Sequence, residues 1–256
     1  MRWMPSLTIW DFVLILVVST QATILAYVYE PKWKALILLL PFPFTIATLA
    51  VGTGVDITGV VGLVLLIIFT HGVRLLHYRV KVPIIPSIVI SAGVYCGLGT
   101  LLAAVLPRTE LAFWVAAALV FLLGLTLYRV VPHRVEPGNR SLLPVYVKLP
   151  IIAVVISLLI VLKAQMQGFI TVFPMVGVIS AYEGRRSLWT ISREIPVLTF
   201  TLLPMMCVVR LAQSSLGLPA ALALGWVVNL GMLILVTRAR WARDERQVLA
   251  RAAADA

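Results

Sequence analysis

The sequence predicts an all-α, polytopic membrane helix bundle of about nine transmembrane helices, N-out/C-in, with an inverted 4+1+4 repeat. Three observations predict it: long uncharged runs, an uneven distribution of Lys and Arg, and two segments that share features in the same order. Of the 256 residues, 61% are hydrophobic and only 12% are charged, and the mean hydropathy is +1.05. Because a water-soluble domain has about 25% charged residues, this composition indicates a lipid environment.

The same composition excludes several other classes of protein. The chain is too apolar to be disordered and lacks the glycine period of a collagen. Its two cysteines, Cys96 and Cys207, both lie in apolar runs and do not form a disulfide framework of the kind found in small secreted domains. We therefore interpret both as small buried hydrophobic residues.

Nine uncharged runs divide the chain, and each is a candidate membrane crossing. A helix needs about 20 residues to cross the hydrocarbon layer. Long apolar runs without polar alternation predict helices, since a helix satisfies its own backbone hydrogen bonds in lipid. The sixth run must begin near Ser141 with Lys148 snorkelling, and the eighth must extend toward Ile191, because both are short. The runs are 12–29, 35–55, 57–73, 82–107, 111–128, 149–162, 164–182, 195–209 and 211–237.

Lysines and arginines divide unevenly between the two sides of this predicted bundle. With an outside N-terminus, 17 of the 21 basic residues fall in inside loops or in the C-terminal tail. Since Lys and Arg in short loops are retained on the cytoplasmic side, the count predicts N-out/C-in. It also explains the net charge of +11 as a topological signal, so the charge is no evidence for nucleic-acid binding. The four basic residues left outside are Arg2, Arg108, Lys163 and Arg210.

Two parts of the chain share several features in the same order. A Phe-Pro pair lies in the second run and again in the seventh, a Val-Arg-Leu triplet closes the third and eighth runs, and a proline follows nine positions after each arginine. Chance similarity between apolar helices is the alternative. A duplication would make the fifth helix a spacer that inverts the second unit, an arrangement common in secondary transporters. The matched residues are Phe42-Pro43, Phe173-Pro174, Arg74, Arg210, Pro83 and Pro219.

This duplication predicts four parts of the chain. They are a first four-helix membrane unit at 1–109, a linker helix and cytoplasmic loop at 110–140, a second four-helix unit at 141–237 and a basic, helical cytoplasmic tail at 238–256.

The second unit also carries a resemblance to a known family. Its pattern of Gly168, Phe173-Pro174, Tyr182, Gly184, Arg186-Ser187 and Pro204 resembles the small inner-membrane proteins of the GlpM-like family. Those proteins are about as long as one of the two units. The first unit resembles them more faintly, because the Tyr and Arg-Ser positions are not reproduced there. The resemblance implies a tandem duplication of a membrane bundle, and it implies no reaction.

The two Phe-Pro pairs indicate where a binding site could lie. A proline within a helix leaves the carbonyl four residues earlier without its donor, at Leu39 and at Ile170. Helices interrupted at corresponding places in two halves indicate a transport site, although proline and small residues are also ordinary packing devices in membranes. For Asn229, an interhelical hydrogen bond is the other interpretation. The substrate-binding candidates are Pro43, Thr45, Thr48, Pro174, Gly177, Ser180, Tyr182, Glu183 and Asn229.

The sequence contains no familiar catalytic motif, so we predict no catalytic residues, no metal site and no cofactor. Its three histidines, His71, His77 and His133, have no acidic or thiolate residues obviously nearby. The favoured hypothesis is a transporter or flippase-like protein of the bacterial inner (plasma) membrane. It would move a small or amphipathic solute between the two units. The alternative is a non-transporting scaffold or accessory subunit, and an intramembrane enzyme ranks third. The expected partners are membrane lipids and an unknown small solute, with a homo-oligomer left open and no nucleic acid.

Overall fold

The computed structural model describes residues 8–130, 144–161 and 167–254, and helices make up nearly all of these ranges. The first half of the chain forms α1 to α6, and the second half forms α7, a 3-10 helix η1, and α8 to α10. The bounds are α1 Ile9–Tyr27, α2 Pro31–Leu38, α3 Phe42–Val51, α4 Ile57–Tyr78, α5 Ile84–Val105, α6 Glu110–Val130, α7 Val145–Val161, η1 Gln167–Val172, α8 Met175–Glu183, α9 Leu188–Leu216 and α10 Leu218–Ala254.

Six of these helices are long and apolar enough to cross a membrane: α1, α4, α5, α6, α9 and the first 24 residues of α10. The prediction of a multi-pass membrane helix bundle is therefore confirmed. The other three predicted crossings correspond to shorter apolar helices at Leu36–Val51, Val145–Ser157 and Gly168–Glu183. Two of them are interrupted by prolines, which cannot donate the backbone hydrogen bond that a continuous helix needs.

We call α2 with α3 the first broken helix, and η1 with α8 the second broken helix. The first is interrupted at 39–41, and the second at 173–174. The sequence predicts that each Phe-Pro pair lies in the middle of a helix. In the structure each pair instead lies where one short helix ends and the next begins.

Helices α4 and α9 form the centre of the bundle. They pack against each other and both pack against α6, while α5 covers α4 and α10 covers α9. More than half of the most apolar stretch is buried in α4 (56%) and α9 (61%), compared with 28% in α5, α6 and α10. The outer helices therefore expose apolar side chains to the surroundings, among them Ile85, Leu101, Leu119 and Leu235, as expected of helices that face lipid.

Three boundaries differ from or refine the predicted ones. Helix α7 begins at Val145. Lys148 does not snorkel, because its side chain is buried, with the residue 4% exposed, and is paired with the carboxylate of Glu183. Helix α9 begins at Leu188, so the predicted extension toward Ile191 is correct. Helix α10 continues to Ala254, which confirms the helical tail.

Candidate functional site

The first broken helix is held at its interruption by a side chain from α1. The buried Gln21 donates from Nε2 to the carbonyl of Ile37 at 2.7 Å, and Leu40 donates its backbone N–H to the same carbonyl at 3.3 Å. Pro43 is the second residue of α3, where a missing N–H costs no helical hydrogen bond. The proline therefore starts a second helix, and Gln21 stabilises the last turn of the one before it.

The second broken helix is held in a comparable way by a side chain from α5. The hydroxyl of Tyr95 donates to the carbonyl of Phe169 at 2.9 Å, and Tyr95 is fully buried. At the interruption, Phe173 donates its N–H to the carbonyl of Ile170 at 3.2 Å, and Met175 donates to the carbonyl of Phe173 at 2.7 Å. The prediction that Pro174 leaves the Ile170 carbonyl without a donor is therefore wrong, because the 3-10 turn supplies one.

A cavity of about 80 Å³ lies between the two interruptions and is lined by both of them. Its polar side chains are Thr70 and Thr171, and each donates its hydroxyl to a carbonyl of its own segment, Leu66 and Gly168 respectively. The wall is otherwise apolar, so the cavity suits an apolar group. We call it the central cavity. It is lined, among others, by Pro41, Pro43, Phe44, Phe69, Phe173, Pro174, Met175, Gly177 and Ala181.

Two smaller polar cavities adjoin the central cavity on opposite sides. One, of about 10 Å³, is lined by Asp56 and Thr48, and it shares Thr171 with the central cavity. The other, of about 30 Å³, is lined by Lys34 and shares Leu38 and Ile191 with the central cavity. We call them the Asp56 cavity and the Lys34 cavity. The three form a row in which a polar cavity lies on each side of an apolar one.

The Asp56 and Lys34 cavities lie at opposite ends of the bundle. Asp56 caps the start of α4 by accepting from the N–H of Thr58 at 3.0 Å. The other end of α4, at Tyr78, contacts the segment that leads from the Lys34 cavity into α9. Helix α4 has 22 residues, which corresponds to about 33 Å. The row of cavities therefore extends over approximately the thickness of a bilayer's hydrocarbon layer.

Two ion pairs lie beside the Lys34 cavity, and Glu194, a member of one of them, lines it. Lys148 Nζ lies 2.7 Å from Glu183 Oε1, with side-chain exposures of 6% and 7%. Arg240 donates to both carboxylate oxygens of Glu194, each at 2.7 Å. Lys34 precedes the apolar part of the first broken helix. Burial lowers the pKa of its amine, Glu183 raises that pKa, and Lys148 lowers it further.

The ends of α4 and α9 hold the segments that follow the broken helices, in a reciprocal pattern. Tyr78, near the end of α4, donates its hydroxyl to the carbonyl of Arg185 at 3.2 Å, just after the second broken helix. Gln213, near the end of α9, bonds the N–H of Val55 at 2.8 Å and its carbonyl at 3.2 Å, just after the first. Arg74 and Arg210, the matched arginines of the proposed repeat, take part in these same two groups of contacts.

Arg74 lies over the ring of Trp189, the second residue of α9, at 3.9 Å. Arg210 donates to the Val55 carbonyl at 3.1 Å and also pairs with Glu110 at the start of α6. Arg74 therefore joins α4 to the first turn of α9, and Arg210 joins α9 to the segment between the first broken helix and α4.

Five of the nine predicted site residues line the row of cavities. Pro43, Pro174 and Gly177 line the central cavity, Thr48 lines the Asp56 cavity, and Ser180 lines the Lys34 cavity. The structure thus brings residues from both Phe-Pro segments together.

The other four predicted site residues make different contacts. Thr45 accepts a hydrogen bond from Trp226 Nε1 at 2.8 Å, and Tyr182 is exposed beside the Arg185 guanidinium. Glu183 forms the ion pair with Lys148. Asn229 is fully buried and neither atom of its side-chain amide has a hydrogen-bond partner, so the predicted interhelical bond does not form.

The sequence analysis missed Gln21, Tyr95 and Thr171 and treated Lys34 only as a topological charge. Gln21 carried a usable signal, because a glutamine within an apolar helix needs a partner. His71 and His77 both lie in α4, and His133 lies outside the described residues. Within the residues that the structure describes, no three His, Cys, Asp or Glu side chains form a group able to hold a metal ion.

Comparisons of the chain with protein-family models, with curated proteins and with solved structures gave no match. The resemblance to the GlpM-like family therefore stays a prediction that rests on the quoted residues.

Proposed function

We propose that this protein is a membrane transporter or flippase-like protein that moves a small or amphipathic solute between two inverted repeat units. The observation that carries the proposal is the row of three cavities between the two broken helices. In transporters built from inverted repeats, substrate sites lie near the middle of the membrane at interrupted helices. The central cavity has this setting, because both interruptions line it.

The reciprocal contacts of α4 and α9 support the inverted repeat. A twofold axis in the membrane plane would exchange α4 with α9, and the first broken helix with the second. It would also exchange Arg74 with Arg210; Arg74 contacts Trp189 in the first turn of α9, and Arg210 contacts Val55 just before α4. Helix α6, the proposed spacer, packs against both α4 and α9.

The contacts at the two ends also agree with the proposed N-out/C-in orientation. Lys34, which the charge count assigned to the inside, lines the Lys34 cavity, and Lys148 and Arg240, also assigned to the inside, pair with Glu183 and Glu194 beside it. Arg210, which the count assigned to the outside, lies at the Asp56 end beside Val55. In this proposal the Lys34 cavity faces the cytoplasm of a bacterial cell.

The proposed mechanism is alternating access between the two polar cavities. The interruptions at 39–41 and 173–174 act as hinges, since the chain there lacks continuous helical hydrogen bonds. Tilting the first broken helix away from Gln213 would open the Asp56 cavity to the central one. Tilting the second away from Tyr78 would open the Lys34 cavity. Only one connection would open at a time, so the solute would never meet a continuous pore.

The test fills the central cavity and measures flux. We expect proteoliposomes to take up at least one class of solute from a panel of labelled small acids, amines, neutral amphiphiles and headgroup-labelled lipids. Ala181 is buried and lines the central cavity, so Ala181→Leu should abolish that uptake by occupying the space. Ala104→Leu makes the same change on the exposed face of α5 and should keep the wild-type rate.

Two outcomes would contradict the proposal. Equal uptake by all three proteins would show that the solute does not pass through the central cavity. Absence of protein-dependent uptake of every panel member, together with a membrane protein that co-purifies stoichiometrically, would favour the scaffold or accessory-subunit alternative. Size-exclusion profiles of both variants would first establish that they fold.

A further inference from the structure

We propose that the Asp56 cavity binds a monovalent cation, with Na⁺ the best match, and that this cation is the coupling ion of transport. The binding site stands on the geometry of the cavity, and only the coupling rests on the proposed function. Three features carry the inference: the oxygen atoms that line a cavity of about the size of one small ligand, the charge of Asp56, and the meeting of both broken helices around it.

The residues that line the Asp56 cavity are rich in side-chain oxygen atoms. They carry one carboxylate and three hydroxyls, those of Asp56, Thr48, Thr53 and Thr171. The volume of about 10 Å³ is close to the space that a single water molecule requires. Oxygen ligands are those that hard cations prefer. The cavity therefore matches one small cation, in contrast to the apolar central cavity beside it.

Two of these hydroxyls are fixed in a way that suits a cation. Thr48 donates its hydroxyl to the carbonyl of Phe44 at 2.7 Å, and Thr171 donates to the carbonyl of Gly168 at 2.7 Å. Both threonines are buried. Because each hydroxyl already uses its proton, its oxygen can only accept from, or coordinate, a further group. Such an oxygen suits a cation and does not suit an anion.

Among the described residues that line the cavity, Asp56 alone is charged. Its Oδ1 accepts the N–H and the hydroxyl of Thr58, which fixes the carboxylate at the start of α4. Arg210, at the same end of the bundle, pairs with Glu110 and donates to the Val55 carbonyl. Within the described part of the chain, no basic side chain forms an ion pair with Asp56. One monovalent cation would balance this single negative charge, whereas a divalent ion would leave a positive charge held away from water.

The end of α3 adds to the preference for a cation. Helix α3 ends at Val51, and residues 53–56, which follow it, all line the cavity. The C-terminus of a helix carries partial negative charge. In transporters built from inverted repeats, unwound backbone and the C-terminal ends of half-helices coordinate Na⁺. The Asp56 cavity has this setting at the end of the first broken helix.

Both broken helices contribute to the cavity, so a bound cation would join them. Thr48 belongs to the first, and residues 53–56 follow it, whereas Gly168 and Thr171 belong to η1, the start of the second. Gly168 permits the close approach of η1, because a Cβ there would lie 2.9 Å from Asp56 Oδ1. The proposed ligands therefore come from segments that are more than 100 positions apart in the chain.

This arrangement would link the cation to the movement and to the solute. In the proposed mechanism the first broken helix tilts to open the Asp56 cavity, which would separate Thr48 from Thr171. The cation would then bind one conformation better than the other and shift the equilibrium toward it. Thr171 also lines the central cavity, so the cation and the solute would bind side by side.

The melting temperature of the purified full-length protein in detergent tests the site. The chloride salts of sodium, potassium, choline and calcium are compared at equal ionic strength, and calorimetry measures the affinity for each cation that stabilises the protein. We expect Na⁺ to raise the melting temperature most. K⁺ should do so less, because it is larger than the cavity favours, and Ca²⁺ should do so less, because the lining supplies a single carboxylate. Choline should have no effect.

A charge variant and its control separate binding from folding. Asp56→Asn removes the charge and keeps an N-cap for α4, because Asn and Asp cap helices about equally well. It should abolish the sodium-dependent rise in a protein whose size-exclusion profile and helical circular dichroism are unchanged. Glu110→Gln removes a negative charge at the same end of the bundle from a residue that does not line the cavity, and should keep the rise.

A hydroxyl variant gives a second test that does not alter the cap of α4. Thr48→Val removes one proposed ligand and should weaken the calorimetric affinity for Na⁺. Thr100→Val is the matched control, because Thr100 donates to a carbonyl of its own helix in the same way but lies on the exposed face of α5. It should leave the affinity unchanged.

Equal rises with all four salts, or a sodium-dependent rise that persists in Asp56→Asn, would overturn the site. A calcium-dependent rise larger than that with sodium would overturn the assignment to a monovalent ion. Sodium binding without flux of any solute in proteoliposomes would contradict transport and leave the site intact. Solute flux at the same rate with sodium or choline in the outer solution would contradict the coupling alone.

Discussion

The two broken helices arise from the same Phe-Pro signal but differ in structure. The first is α-helical on both sides of its interruption, and in its first part Trp33 is exposed while Lys34 and residues 36–38 are only partly buried. The second begins as a 3-10 helix, and residues 169–176 are all buried. The start of the second therefore belongs to the core, whereas α2, the start of the first, is less buried. A repeated sequence signal can thus specify the position of an interruption without specifying its local geometry.

The far ends of the two broken helices are also tied differently. The second ends at Glu183, whose ion pair with Lys148 is almost fully buried. The segment after the first is tied by neutral hydrogen bonds to Gln213 and by Arg210, whose acidic partner Glu110 is 66% exposed in its side chain. This difference leads us to expect that stability depends more on the second broken helix. Movement should be easier at the first.

The largest expected effect comes from breaking the buried ion pair. Glu183→Gln leaves Lys148 buried without its carboxylate, and we expect a loss of about 3 kcal/mol in the free energy of unfolding. Glu110→Gln is the matched change in the exposed pair with Arg210 and should cost less than about 1 kcal/mol. Denaturation of the detergent-solubilised protein, monitored by helical circular dichroism, measures both.

Equal losses from Glu183→Gln and Glu110→Gln would contradict the contrast between the two ends. A double variant, Glu183→Gln with Lys148→Met, gives a further control. Removing both charges should recover part of the lost stability, because an apolar side chain suits that buried position better than an unpaired ammonium group.

A smaller effect is expected from adding one methyl group at Gly168 or Gly54, which both line the Asp56 cavity. A Cβ at Gly168 would overlap Thr58 Oγ1 and lie 2.9 Å from Asp56 Oδ1. Thr58 is fully buried at the start of α4, and its β-branched side chain has few alternative rotamers. We therefore expect Gly168→Ala to cost about 2 kcal/mol by overpacking.

Gly54 provides the comparison for Gly168. A Cβ there would meet only the end of the Gln213 side chain, which is flexible and can turn aside. Gly54→Ala should therefore cost less than about 1 kcal/mol, mainly through the hydrogen bonds that Gln213 gives up. The same denaturation experiment measures the two variants, and a larger cost at Gly54 would contradict this difference between a rigid and an adaptable neighbour.

The sequence alone predicted the helical class and the approximate positions of the long helices, because length and hydropathy decide these in lipid. It also identified Pro43 and Pro174, which line the central cavity. It did not predict that Lys148 is buried, since its partner Glu183 is 35 positions away in the chain and the pair depends on packing. Tyr95 was missed for the same reason. A tyrosine in an apolar run gives no sign that it will meet the Phe169 carbonyl on another helix.

Asn229 shows the converse problem. A buried amide in an apolar helix predicts a hydrogen bond, yet its side chain has no partner. The sequence pattern shows that a polar group lies within the bundle. Which side chains lie beside that group depends on the angles at which α9 and α10 pack. These angles are not encoded in any short stretch of sequence.

The smallest expected effect concerns the glycines that end the two broken helices. Gly52 has a φ of +72°, and no atom lies within 4 Å of a Cβ added there. Gly184 has an ordinary φ, but a Cβ added there would overlap Ile191 and lie 2.9 Å from the Ser180 carbonyl oxygen. Gly52→Ala should therefore cost about 1 kcal/mol through backbone conformation alone, and Gly52→Asn should cost less, because asparagine tolerates left-handed backbone. At Gly184 the order should reverse, since asparagine is larger than alanine and the constraint is space. Melting temperatures of the four variants distinguish these causes. If asparagine is better tolerated than alanine at both sites, backbone conformation, and not packing, selects glycine at the end of the second broken helix.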